Sequence, residues 1–161
     1  MTTMSNVQDV RALRASDIME KDIVTIREDA TVQEMLDLLV KNGIWGVPVI
    51  NELDDLVGVV SLTDLAREEN DNGLDDSGAF YQDFYPEIGW WGNVPAYTKS
   101  SLAQTRVFDL MSYPCITASP VDTVQTLVQR MLKHHIHRII IARGDKILGV
   151  VTATDILRKL A

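Results

Sequence analysis

Two stretches of the chain carry the same residue types at the same spacing: Gly58, Ser61 and Asp64, then Gly149, Thr152 and Asp155. Glycine on a strand lets a ligand approach the backbone closely. A hydroxyl at the end of that strand, beside a helix amino terminus, can donate to a phosphate that the free backbone N–H groups also attract. The Asp can accept both hydroxyls of a ribose cis-diol, as acidic residues do in dinucleotide folds. Thr63 and Thr154 place a second hydroxyl beside each carboxylate. The same spacing, Ser or Thr followed three residues later by Asp, is also that of a plain helix cap. The pattern alone leaves both readings open.

Other reactive side chains are sparser. His137-Arg138 offers a guanidinium that is always charged and can grip phosphate oxygens two at a time. His134 and His137 could share a helix face, but no cysteine or second His-rich segment completes a metal set, so solvated or phosphate-facing histidines are expected. Cys115, the single cysteine, has no internal disulfide partner and reads as a small buried hydrophobe on an apolar strand. The chain has no recognisable nucleophilic triad and no Gly-Lys-Ser phosphate loop, and a non-enzymatic role is expected.

The elements that must position these groups come from an internal duplication. Asp17-Ile18-Met19 recurs as Asp109-Leu110-Met111, an offset of 92 that also pairs Thr25 with Thr117, Thr31-Val32-Gln33 with Thr123-Val124-Gln125, Lys41 with Lys133 and Ile44 with Ile136. After one residue is lost from a loop, residues 58–64 match residues 149–155. Each half reads β-α-β-β-α. Short strands are expected at Ile23 to Ile26 and Cys115 to Thr117. Amphipathic helices follow, with Val32, Met35, Leu36, Leu39 and Val40 forming one apolar stripe and Val124, Leu127, Val128, Met131 and Leu132 the other. Thr31 with Glu34 predicts a capping box, and Ser119-Pro120 a helix start. Strands Val47 to Ile50 and Leu56 to Ser61 flank a turn at Asn51 to Asp55. Ile139 to Ala142 and Ile147 to Thr152 flank one at Arg143 to Lys146, and each half closes on a helix opening near Asp64 or Asp155. A half of about 55 residues leaves a sheet face bare, so two halves must pack together.

The predicted organisation is an arm at 1–13, a first repeat at 14–67, a connecting insertion at 68–102 and a second repeat at 103–161. The insertion holds turn formers, then Phe80, Tyr81, Phe84, Tyr85, Trp90, Trp91 and Tyr97, and is expected to pack against something rather than stay solvated. It also carries most of the net negative charge. The formal net charge of −8 argues against non-specific nucleic-acid binding. No apolar run reaches the roughly 20 residues a membrane helix needs, and residues 1–17 lack an apolar core of signal-peptide length, so a cytoplasmic location is expected.

The Asp-x-Met openings, the Val47-Pro48-Val49 strand and the two Gly-x-x-Ser/Thr-x-x-Asp endings resemble the CBS (cystathionine-β-synthase) domain family in both halves, over about 110 residues. The resemblance implies an α/β (α+β) fold in which two repeats pack with pseudo-two-fold symmetry as a Bateman module, commonly as a homodimer. It implies adenosine phosphates (AMP, ADP or ATP, with or without Mg²⁺) bound between the repeats, Asp64 or Asp155 on the ribose and Ser61 or Thr152 towards phosphate. Ile23-Val24 and Cys115-Ile116 would face the adenine. His137-Arg138 resembles the His-Arg pair that contacts phosphate in energy-sensing members, and would serve the Ser61/Asp64 site across the cleft. Trp45-Gly46 stands at the matching place in repeat one, so the two sites should be unequal. The implied role is a sensor acting on an unidentified partner protein. The alternatives are a scaffold with vestigial sites, such as a thioredoxin-system regulator, and an S-adenosylmethionine or NADH sensor.

Overall fold

The computed structural model describes residues 9–62, 64–65 and 104–161. The insertion at 68–102, with Trp90, Trp91 and the other aromatics expected to pack, lies outside the described residues, as does Thr63. The elements in chain order are α1 (Ala15–Ile18), β1 (Ile26–Arg27), α2 (Val32–Asn42), β2 (Gly46–Ile50), β3 (Leu56–Ser61), α3 (Val107–Leu110), β4 (Thr117–Ala118), α4 (Val124–His134), β5 (Arg138–Arg143), β6 (Lys146–Thr152) and α5 (Ala153–Leu160). They form two three-stranded sheets of the same order, β1-β2-β3 and β4-β5-β6. β1 runs parallel to β2, and β4 parallel to β5.

The first strands begin later than expected. Ile23, Val24, Cys115 and Ile116 lie in chain without ladder pairing, and pairing starts only at Ile26 and Thr117. The capping box at Thr31 and Glu34 forms as predicted: Glu34 N–H donates to Thr31 Oγ1 at 3.1 Å, and Thr31 N–H to Glu34 Oε2 at 2.7 Å. In repeat two the helix starts later than Ser119-Pro120 suggested. Thr123, which matches Thr31, caps α4, while Pro120 sits in the turn before it. Val40 and Leu132 leave the apolar stripes and are 43% and 71% exposed. Each lies at i+8 from the first stripe residue, about 80° around the helix, where a stripe of ordinary width has run out.

The chain divides into two compact units that do not coincide with the sequence repeats: Met1–Thr25, Glu52–Val57 and Pro114–Ala161 in the first, Ile26–Asn51 and Gly58–Tyr113 in the second. In the first unit, the opening segment of repeat one lies on the helices and sheet of repeat two. Ala15 N–H donates to Asp122 O, Ser16 N–H to Pro120 O and Val124 N–H to Leu13 O. Glu20 and Val150 exchange backbone hydrogen bonds in both directions. Val10, Ala15, Val124, Leu127, Met131, Ile139, Ile141, Val151 and Ile156 form its core. In the second unit, the opening segment of repeat two does the same to repeat one: Val107 N–H donates to Ala30 O, Phe108 N–H to Glu28 O, and Ser112 and Val59 exchange hydrogen bonds. Each sheet is thus extended by a segment from the other half of the sequence. This supplies backbone partners that a lone repeat would leave to water.

Candidate functional site

Gly58 and Gly149 lie where the two exchanged segments cross the sheets. A Cβ on Gly149 would fall 2.6 Å from Met19 Sδ and 2.9 Å from Glu20 O; one on Gly58 would fall 2.6 Å from Met111 Sδ and 3.1 Å from Ser112 O. The neighbour that these glycines admit is therefore the Asp-x-Met opening of the other repeat, in both units.

Three residues on, the hydroxyls and carboxylates form caps. Thr152 is the N-cap of α5: Asp155 N–H donates to Thr152 Oγ1 at 3.2 Å, while Thr152 N–H and Oγ1–H both donate to Asp155 Oδ2 at 2.8 Å. Among the described residues, Asp155 Oδ1 meets the exposed Arg158, at 3.3 Å. In the second unit Ser61 N–H and Oγ–H donate to Asp64 Oδ2 at 2.9 and 3.2 Å, and Ser112 Oγ–H donates to Asp64 Oδ1 at 2.8 Å. Asp64 is buried and Asp155 half-buried. A hydroxyl has one proton to give. Both Ser61 and Thr152 give it to their own Asp here, so a phosphate must draw it away and otherwise relies on backbone N–H groups and cations.

His137-Arg138 belongs to the first unit. Arg138 pairs directly with Thr152 across the β5–β6 ladder, and Ala153 N–H donates to His137 O at 2.8 Å. Directly opposed residues of an antiparallel pair project from the same face. Thr152, Asp155 and Arg138 are thereby brought to one end of one sheet. Arg138 keeps part of its surface in water, yet burial pulls its pKa below the ordinary arginine value. In the second unit Gly46 occupies the place of Arg138, and a Cβ there would already stand 3.0 Å from Ser61 Cβ. Among the described residues, glycine rather than a cation stands beside Ser61 on the neighbouring strand.

Each remaining candidate has a place. Thr154 is exposed on the first turn of α5. Ile23, Val24, Cys115 and Ile116 are half-buried and all belong to the first unit. Burial pushes the Cys115 thiol up. Its thiolate fraction at neutral pH is then below that of a free cysteine, and the thiolate is the reactive form. Alkylation of the native protein should be slower than of a model thiol at pH 7 and should accelerate only above the ordinary thiol pKa; labelling rates against pH check this. His134, His135 and His137 are exposed, and among the described residues no cluster of His, Cys, Asp or Glu could hold a metal. Ser112 is a residue that the repeat matching missed. It follows Met111 directly, but its counterpart after Met19 is Glu20, so the comparison of the two halves passed over it.

The CBS-domain family description matches residues 15–71 and 107–161. The chain belongs to the CBS-domain family. It carries two CBS domains, with the mixed α/β fold of that family. It is 30% identical over 144 residues to the CBS domain-containing protein CBSX1, chloroplastic, of Arabidopsis thaliana, covering 86% of this chain and 59% of that one. With the CBS domain of a CBS domain containing membrane protein from Sphaerobacter thermophilus the TM-score is 0.73 at 25% identity, over 98% of this chain and 93% of that one. With CBSX2, crystallised in complex with AMP, it is 0.66 at 21% identity, over 90% and 93%. The chain thus spans less than two thirds of CBSX1. No helix among the described residues is long and apolar enough to cross a membrane.

Proposed function

We propose that this CBS pair is a non-enzymatic regulatory module that binds an adenine nucleotide of the AMP, ADP or ATP class and modulates a partner protein. The observation that carries the proposal is the grouping of Thr152, Asp155 and Arg138 at one end of the β4-β5-β6 sheet. Asp155 Oδ1, which meets an exposed arginine at 3.3 Å, suits a ribose hydroxyl. Arg138, partly stripped of water, gains more from a phosphate than a fully hydrated cation would. The chain's negative charge makes that cation matter, because an unshielded phosphate meets net repulsion elsewhere. The AMP complex of CBSX2 supports the ligand class. Ile23-Val24 and Cys115-Ile116 offer half-buried apolar surface for a base in the same unit. Ser61 and Asp64 make a second end, where Gly46 stands in the place that Arg138 takes on the other sheet, so the two ends should depend on phosphate unequally. Regulation follows if the nucleotide prefers one conformation, and its reach is bounded by that difference in affinity.

The test compares AMP with adenosine by calorimetry on the wild-type chain and on Arg138→Ala. AMP is expected to bind more tightly, and Arg138→Ala to cost roughly 10- to 100-fold in AMP affinity while sparing adenosine, the size of a hydrogen-bonded charge pair. Added salt should narrow the gap. Equal AMP affinity with and without Arg138 would remove it from the site.

The module is further proposed to act as a homodimer. In α5, Ile156 enters the core of the first unit, whereas Leu157 and Leu160 remain 62% and 46% exposed and offer apolar surface to a second copy. Sedimentation at micromolar concentration should give twice the 18.0 kDa of the chain, and a species at that mass would contradict dimerisation.

A further inference from the structure

We infer that Ser112 is a positioning residue for nucleotide binding at the repeat-one end, holding the Asp64 carboxylate in the orientation that a ribose would meet. The inference rests on the nucleotide-binding reading above. Ser112 is fixed before its side chain acts, since its N–H donates to Val59 O at 2.8 Å and its O accepts from Val59 N–H at 3.0 Å. From that strand-like pairing its hydroxyl reaches Asp64 Oδ1 at 2.8 Å, while Ser61 holds Oδ2 through its N–H and Oγ–H. With one oxygen tied to the cap and the other to Ser112, the carboxylate cannot turn about χ2, and the lone pairs of Oδ1 keep one direction. A carboxylate oriented in advance spends less entropy when it accepts a ligand hydroxyl. The hydroxyl is supplied by repeat two to a carboxylate of repeat one, so a shift of the 107–112 segment is felt at Asp64 directly.

The matching place in the first unit lacks this device. Glu20 exchanges backbone hydrogen bonds with Val150 just as Ser112 does with Val59, but an ionised carboxylate donates nothing, and Glu20 Oε1 instead accepts from Asp22 N–H at 3.0 Å. Asp155 Oδ1 is left to Arg158. The two ends therefore differ twice over: one has a cation across the ladder and a loosely held carboxylate, the other a fixed carboxylate and glycine.

The experiment isolates the repeat-one end in the full chain carrying Asp155→Ala and titrates adenosine and AMP by calorimetry, with melting temperature followed in parallel. Adding Ser112→Ala should weaken adenosine binding about tenfold, the worth of one hydrogen bond to a charged group. Ser112→Thr, which keeps the hydroxyl, should restore it. A lowered melting temperature with unchanged affinity, or a failure of threonine to rescue, overturns the assignment and leaves Ser112 a packing residue. Binding by the wild-type chain that vanishes wholly with Asp155→Ala also overturns it, while leaving the repeat-two site intact. Absence of binding by the wild-type chain itself is the failure of the nucleotide reading, and is told apart by that first titration.

Discussion

Gly149→Ala is expected to lower the stability of the chain by about 1–3 kcal/mol, the usual cost of overpacking a filled site. The added Cβ would stand 2.6 and 2.7 Å from Met19 Sδ and Cγ, which can swing away, but also 2.9 Å from the backbone oxygen of Glu20, which cannot. That oxygen accepts from Val150 N–H at 3.0 Å, so the substitution presses on the hydrogen bonds that attach the opening segment to the sheet. Gly58→Ala should cost less. Its closest conflict is Met111 Sδ at 2.6 Å, and Met111 Cγ and Ser112 O stay at 3.1 Å. Met19→Ala combined with Gly149→Ala should recover part of the loss, because it removes the sulfur but not the carbonyl. Chemical denaturation of the three variants checks the order. If Gly149→Ala proved neutral and instead weakened nucleotide binding, the glycine would be there for a ligand rather than for Met19.

Asp64→Ala carries the second large effect. The buried carboxylate accepts from Ser61 N–H, Ser61 Oγ–H and Ser112 Oγ–H, and alanine leaves all three donors without it. A loss of about 2–3 kcal/mol is expected, combining a missing cap with the loss of three hydrogen bonds to a buried charged acceptor. Asp155→Ala should cost only about 0.5–2 kcal/mol, since Asp155 is half-buried and its second oxygen meets an exposed arginine. Thermal melts of the two variants side by side measure the difference. Equal losses would mean that the Ser112 hydrogen bond contributes nothing to stability.

The duplication, the β-α-β-β succession of elements within each repeat and the capping box at Thr31 were legible in the sequence because each is a local pattern: hydrophobic period, turn residues, a hydroxyl three residues from an acid. The exchange of opening segments was not. Nothing in Asp17-Ile18-Met19 says which sheet it will lie on, and the pairing of Met19 with Gly149 spans most of the chain. Gly58 and Gly149 were accordingly expected to admit a ligand, whereas methionine sulfur and backbone fill that space. The late start of β1 and β4 has a similar origin. Ile23, Val24, Cys115 and Ile116 are apolar enough to look like strand, but apolarity alone does not supply a ladder partner. The Ser/Thr-x-x-Asp endings remain doubly legible: they are caps, and a cap at a strand end places the groups that a nucleotide would use.

The central claim, nucleotide binding at the repeat-two end, is tested most directly by titrating AMP into the wild-type chain and into Asp155→Ala while following both heat and melting temperature. The wild-type chain should bind saturably and gain about 2.7 kcal/mol of stability when AMP is 100 times its dissociation constant. Asp155→Ala should weaken the Arg138-dependent component by roughly 10- to 100-fold. Saturable binding that survives Asp155→Ala unchanged, with only the melting temperature of the free protein lowered, would contradict the account and make Thr152 and Asp155 a helix cap alone.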